Sequence, residues 1–221
     1  MTVRTQYEAD LTALKAALVE MGQNSADAVE AALEALCTAD AAAAAAIVKG
    51  DGRINNMERD IEHRCMTLLL RQQPVAGDLR RISTAIKVVT DIERMGDHAA
   101  DIAEIIPFFL SHNTFDCTLV CRMAQQASSM VTQSVDAFVR RDVYLARSVA
   151  GQDDLVDEDF TAVKQALIAA IAREPGQGEV ALDLLMIAKY FERIGDHAVN
   201  LSEWVEFSVT GVHKHDGVEY E

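Results

Sequence analysis

Two acidic segments with the same residue order stand 99 positions apart in this 221-residue chain. The first reads Glu93-Arg94-Met95-Gly96-Asp97-His98-Ala99-Ala100-Asp101-Ile102-Ala103-Glu104. The second reads Glu192-Arg193-Ile194-Gly195-Asp196-His197-Ala198-Val199-Asn200-Leu201-Ser202-Glu203. At ~100° per residue, Glu93, Asp97, Asp101 and Glu104 fall within about 80° of one another on a helix. Traced backward, the line passes through Ile82, Ile86 and Val89, and forward it meets Phe108. In the second copy Ala181, Leu185 and Ala188 lead into Glu192, Asp196, Asn200 and Glu203, then Phe207. The acidic stripe thus prolongs an apolar stripe and lies on or beside a packing face.

Like charges four residues apart weaken a helix, and carboxylates near a core cost more unless paired or bound to a cation. A hard cation held by carboxylate oxygens resolves both costs. Further donors are available: Asp51, Asn55, Glu58 and Glu62 share a helical face, and Asp153 and Asp157 take the corresponding place in the second half. The candidate metal ligands are therefore Asp51, Asn55, Glu93, Asp97 and Asp101 in one half, and Asp153, Asp157, Glu192, Asp196 and Asn200 in the other. Asn55 and Asn200 supply neutral oxygen only, so the two sites can differ. The competing reading is a solvated or Arg94- and Arg193-paired face. Gly96 and Gly195 point to a close helix crossing or a bound ion. His98 and His197 fall off the stripe and read as packing or hydrogen-bonding residues.

Helices must position these groups. Aromatics are 5% of the chain, with 3 prolines and 11 glycines, a composition that favours helix over sandwich or barrel. Apolar residues at three- and four-residue steps predict helices over 6–36, 39–71, 78–109, 118–139, 144–172 and 180–209. Pro74 and the Glu174–Gly178 turn precede the third helix of each half, Pro107 should kink or end a last turn, and 111–116 reads as a polar loop. The expectation is an all-α protein of two tandem antiparallel three-helix bundles, residues 1–112 and 113–221, the second closing on a short polar tail.

A net charge of −15 repels phosphate backbones, which argues against nucleic acid as a partner. The first eleven residues carry Arg4, Glu8 and Asp10 and do not read as a signal peptide; the apolar run 41–48 is too short to span a bilayer. Cys37, Cys65, Cys117 and Cys121 show no CxxC pair and read as free, mostly buried thiols of a cytoplasmic protein. Cys117 and Cys121 share one helix face, without the neighbours a zinc site needs.

The paired Glu-Arg-Met/Ile-Gly-Asp-His segments resemble the signature of the PhoU family. So do Asp51-Gly-Arg-Ile-Asn-Asn-Met-Glu58, Gln73-Pro-Val-Ala-Gly-Asp-Leu-Arg80 and Asp153-Asp-Leu-Val-Asp157. The resemblance spans nearly the whole chain. It implies a metal-binding, commonly homodimeric regulator without a catalytic reaction, taking iron or another divalent metal, singly or as a multinuclear cluster. Such a protein represses the phosphate-starvation response by linking the ATPase subunit of a phosphate ABC transporter to a membrane sensor histidine kinase. Carried over by residue, Glu93 and Asp97 would ligate metal opposite Asp51 with Asp101 assisting, and Glu192 and Asp196 opposite Asp153 and Asp157. Asp78 and Arg80 would shape the start of the third helix, Arg80 as a partner-facing charge. One alternative is a carboxylate-bridged metalloenzyme, although the ferritin-like scheme needs Glu-x-x-His twice and Asp60-x-x-His63 occurs once. The other is a metal-free helical adaptor.

Overall fold

The computed structural model describes residues 3–72, 74, 76–112 and 116–212. The expected polar tail, at 213–221, and the middle of the expected loop, at 113–115, lie outside the described residues.

Among the described residues eight α-helices follow in order: α1 Val3–Thr38, α2 Ala41–Gly50, α3 Gly52–Gln72, α4 Ala76–His112, α5 Thr118–Arg140, α6 Val143–Ala150, α7 Asp153–Arg173 and α8 Gly178–Thr210, with one 3-10 turn at Pro175–Gln177 before α8. No strand occurs among the described residues.

Each half is a three-helix bundle whose middle helix is broken. The expected helix over 39–71 divides at Asp51, between Gly50 and Gly52, and the one over 144–172 divides at Gly151-Gln152. Glycine loses more conformational freedom in a helix than any other residue, so these are the weakest points of both runs. Reciprocal amide hydrogen bonds between Gln133 and Gln152, at 3.0 and 3.3 Å, brace the second break. Pro107, expected to kink or end its helix, does not stop α4, which continues to His112 and takes in the start of the expected loop. A proline ring sacrifices one backbone bond, and here the cost falls on an exposed position near the helix end.

The two halves enter their middle helices by the same device. Ala39 (φ 60°) and Arg141 (φ 56°) adopt the left-handed conformation, and Asp40 and Asp142 then accept from the first free N–H groups of α2 and α6. Such a cap satisfies donors that have no intrahelical partner.

The bundles are not separate globules. Leu14, Met21 and Val29 of α1, Ile82 and Ile92 of α4, Met123 and Met130 of α5 and Phe191 of α8 belong to one continuous buried cluster. Ser25 donates to the Ile92 carbonyl inside it at 2.9 Å. The most extensive helix pairing is α4 against α8, the two helices that carry the duplicated segments.

The sequence reading of four free thiols needs correction. Cys37, near the end of α1, and Cys121, in the first turn of α5, form a disulfide; Cys65 and Cys117 are free. Their separation of 84 residues hid the pairing, because only the antiparallel stacking of the bundles brings those two helix ends together.

Candidate metal centre

The breaks in the middle helices decide what faces the acidic stripes. Because α3 starts anew after Gly50, Asp51 stands at its N-terminal end, where the helix dipole favours a carboxylate; Asp153 opens α7 in the same way. Ile54, one turn into α3, presses on α4 at Gly96, where an added Cβ would lie 2.8 Å from Ile54 Cδ1 and 3.3 Å from its Cγ2. At Gly195 an added Cβ would meet Asp153 Oδ1 and Val156 Cγ1 at an ordinary 3.7 Å. The duplicated glycines therefore differ in purpose. Gly96→Ala should lower stability by about 1–2 kcal/mol through overpacking. Gly195→Ala should leave it unchanged or raise it by up to about 1 kcal/mol through helix propensity. Urea midpoints of the two variants check both outcomes.

In the first half, Asn55 Nδ2 donates to Asp51 Oδ2 at 2.9 Å. Three oxygen atoms there are buried without a hydrogen-bond partner: Asp51 Oδ1, Asn55 Oδ1 and Glu93 Oε2. The nearest cation to Glu93 Oε2 is Arg94 Nε, at 3.5 Å too long or misaligned to count as a hydrogen bond; Arg94 also lies 3.5 Å from Asp97 Oδ2 and is itself half-exposed. Burial, then the charges of Asp97 and Glu58, push the Glu93 carboxyl up to about 7. Asp51 is raised by burial and by Asp97, with smaller contributions from Asp101 and Glu104. Glu58 is raised by burial and by Glu62, and more weakly by Asp97. Asp51, Asn55, Glu58, Glu93 and Asp97 thus form one neighbourhood, with Asp101 at its edge.

In the second half, burial and the charges of Asp196 and Asp157 push Asp153 up to about 6. Asp196 is raised by loss of solvent around its carboxyl and by Glu192. Lys189 pairs with Glu192, a cation that the first half does not supply at the matching place, where Thr90 stands.

Two residues of the predicted stripe turn elsewhere. Asn200 donates to Asp91 Oδ1 at 3.3 Å, the same oxygen that His197 Nδ1 meets at 3.0 Å. Asp101 Oδ2 lies 3.4 Å from His98 Nδ1. The rings of His98 and His197 are 5.6 Å apart across the α4–α8 seam, with Tyr190 5.4 Å from His98. Burial holds His98 below the usual imidazole value. Asp91 and Tyr190 occupy equivalent places in the repeat, 99 residues apart. Sequence reasoning gave neither a role, and the one signal available was their shared offset from Glu93 and Glu192. Arg80, read as partner-facing, lies over the Phe207 ring at 5.9 Å.

Among the described residues no group of three or more His, Cys, Asp or Glu side chains is arranged to hold a metal ion. The oxygen-only donor set, crowded carboxylates and unpartnered buried oxygens nevertheless fit a hard cation, because each is a cost that positive charge relieves. Asp51, Asn55, Glu93 and Asp97 would hold it in the first half, Asp153, Asp157, Glu192 and Asp196 in the second. A bound cation would supply neutralisation and cross-linking of the helix pair.

Fold and site together define an all-α protein of two duplicated bundles, each presenting a carboxylate cluster between its middle and last helices. A family model described as the PhoU domain matches residues 18–106 and again 120–205, and the chain belongs to the PhoU family. The PhoU homolog of Clostridium acetobutylicum, named a phosphate-specific transport system accessory protein, is 35% identical over 210 residues, 94% of this chain and 96% of that one. The homolog of the same name in Pseudomonas aeruginosa is 34% identical over 211 residues, 95% of this chain and 87% of that one. The crystal structure of PhoU from Pseudomonas aeruginosa superposes with a TM-score of 0.90 at 34% identity, covering 93% of this chain and 100% of that chain. The phosphate transport system regulatory protein PhoU from Streptococcus pneumoniae superposes with a TM-score of 0.85 at 27% identity, over 94% and 98%. No described helix is long and apolar enough to cross a membrane.

Proposed function

We propose that this chain is a metal-binding accessory regulator of phosphate uptake. In this reading it works in the cytoplasm as a homodimer and restrains the phosphate-starvation response by linking the ATPase subunit of a phosphate ABC transporter to a sensor histidine kinase. It has no catalytic reaction of its own. Family membership and the names of its relatives support the phosphate-transport part. The metal part is carried by one observation: in the first half Asp51 Oδ1, Asn55 Oδ1 and Glu93 Oε2 are each buried without a donor, a cost that divalent ions or iron would relieve.

Elemental mass spectrometry on protein purified without chelator or affinity metal tests the metal reading. Wild type should retain at least one divalent or iron ion per chain, and a Glu93→Ala/Asp97→Ala/Glu192→Ala/Asp196→Ala variant, shown folded by circular dichroism, should retain none. Equal, sub-stoichiometric metal in both would sink it. A starvation-response reporter in a host lacking its own PhoU homolog tests the regulatory part: wild type should restore repression in high phosphate.

A further inference from the structure

A cleft of about 420 Å³ lies where α1, α4 and the ends of α5 and α8 meet, with none of the candidate metal ligands in its lining. Its charge runs against the rest of the molecule. Lys15, Arg81 and Arg141 line it with a single carboxylate, Glu8, in a chain of net charge −15. Its floor is apolar, formed in part by Leu11 and Phe138, and Thr84 forms part of its wall. The Thr84 hydroxyl is buried and has no hydrogen-bond partner.

The cations have structural work but are not used up by it. Lys15 Nζ donates to the Val139 carbonyl at 3.3 Å and Arg141 to the Ser208 carbonyl at 3.4 Å; Arg81 lies 3.5 Å from Asp78. An ammonium has three donors and a guanidinium five, so each keeps donors free. Arg141 also holds the left-handed conformation, unfavourable for a residue with a Cβ, where glycine would serve the turn better.

We infer that this cleft binds a phosphorylated small molecule, with Lys15, Arg81 and Arg141 on the phosphoryl group, Thr84 as a further hydrogen-bonding group and the organic body against Leu11 and Phe138. Guanidinium forks match phosphate oxygens in geometry, the three cations outnumber the two carboxylates beside them, Glu8 and Asp78, and the volume lies in the range of small-ligand pockets. The inference does not rest on the metal reading.

The test is isothermal titration calorimetry of the full chain, treated with EDTA, using ADP and inorganic phosphate as separate probes. Wild type should bind ADP in the micromolar range and inorganic phosphate at least about tenfold more weakly. Lys15→Met and Arg141→Gly should each weaken ADP binding about tenfold or more, a loss of ~1.4 kcal/mol. Arg141→Gly removes the charge while easing the turn, so its thermal midpoint should hold or rise, and lost affinity cannot be assigned to unfolding. Absence of ADP binding to wild type, or binding indifferent to both substitutions, would overturn the site. Inorganic phosphate binding as tightly as ADP would overturn the role of the apolar floor.

Discussion

Reduction of the Cys37–Cys121 bridge should cost the folded protein about 4 kcal/mol. A cross-link stabilises chiefly by removing conformations from the unfolded chain, and the loop closed here is long, the cysteines standing 84 positions apart. The urea midpoint should fall on adding a phosphine reductant, and Cys37→Ser should show the same fall without it and no further change with it. Thiol titration in denaturant without reductant should find Cys65 and Cys117 alone; four reactive thiols would mean that the bridge does not form. Cys37 is exposed, so reductant needs no prior unfolding to reach it. In a reducing cytoplasm the equilibrium lies with the dithiol. A protein working there as proposed would carry the less stable form, with its repeats held by packing and hydrogen bonds and no covalent link.

Metal-free protein should lose stability as pH rises from about 4 to about 7. The sign follows from proton uptake. Glu93 releases its proton near 4.5 when unfolded but near 7 when folded, and Asp153 near 3.8 against about 6. Across that window the folded state holds more protons, so raising pH favours unfolding. A divalent cation reverses this, because it competes with the proton for the same oxygens. At a hundredfold excess over its Kd, Mn²⁺ should add ~2.7 kcal/mol at pH 8, roughly 5–10 °C in a domain of this size. The gain should fade toward pH 5. Glu93→Gln should raise the metal-free midpoint at pH 8, flatten its pH profile and shrink the gain with Mn²⁺. Scanning fluorimetry across pH, with EDTA and with Mn²⁺, reads all of these. A wild-type midpoint that rises from pH 5 to 7 in EDTA would contradict the placement of Glu93 among like charges away from solvent.

The helical architecture was legible because every long helix announces itself by apolar periodicity, and the two halves by the 99-residue offset between α4 and α8. The breaks at Asp51 and Gly151 were missed although Gly50-Asp51-Gly52 and Gly151 were visible, since apolar periodicity runs past a glycine without marking whether the helix bends there. Those breaks place Asp51 and Asp153 at helix starts opposite the stripes. Asp97 acts electrostatically on both Asp51 and Glu93. Asn200 turns instead to Asp91, and Asp101 to His98. A wheel projects one helix at a time, and the α4–α8 seam that claims Asn200 exists only once both halves are assembled. The disulfide was hidden for the same reason.

The seam also carries a consequence of its ancestry. Asp91 and Tyr190 stand at matching places on either side of the His98–His197 pair, and Asp101 and Asn200 differ in the same way. Two identical chains meeting on a true twofold axis would have to change both sides of such a seam at once. A tandem duplicate written into one gene is free of that constraint and can give its halves unequal work. The molecule therefore has a heading: any partner that reads across this seam finds one side unlike the other and has a single orientation in which to dock.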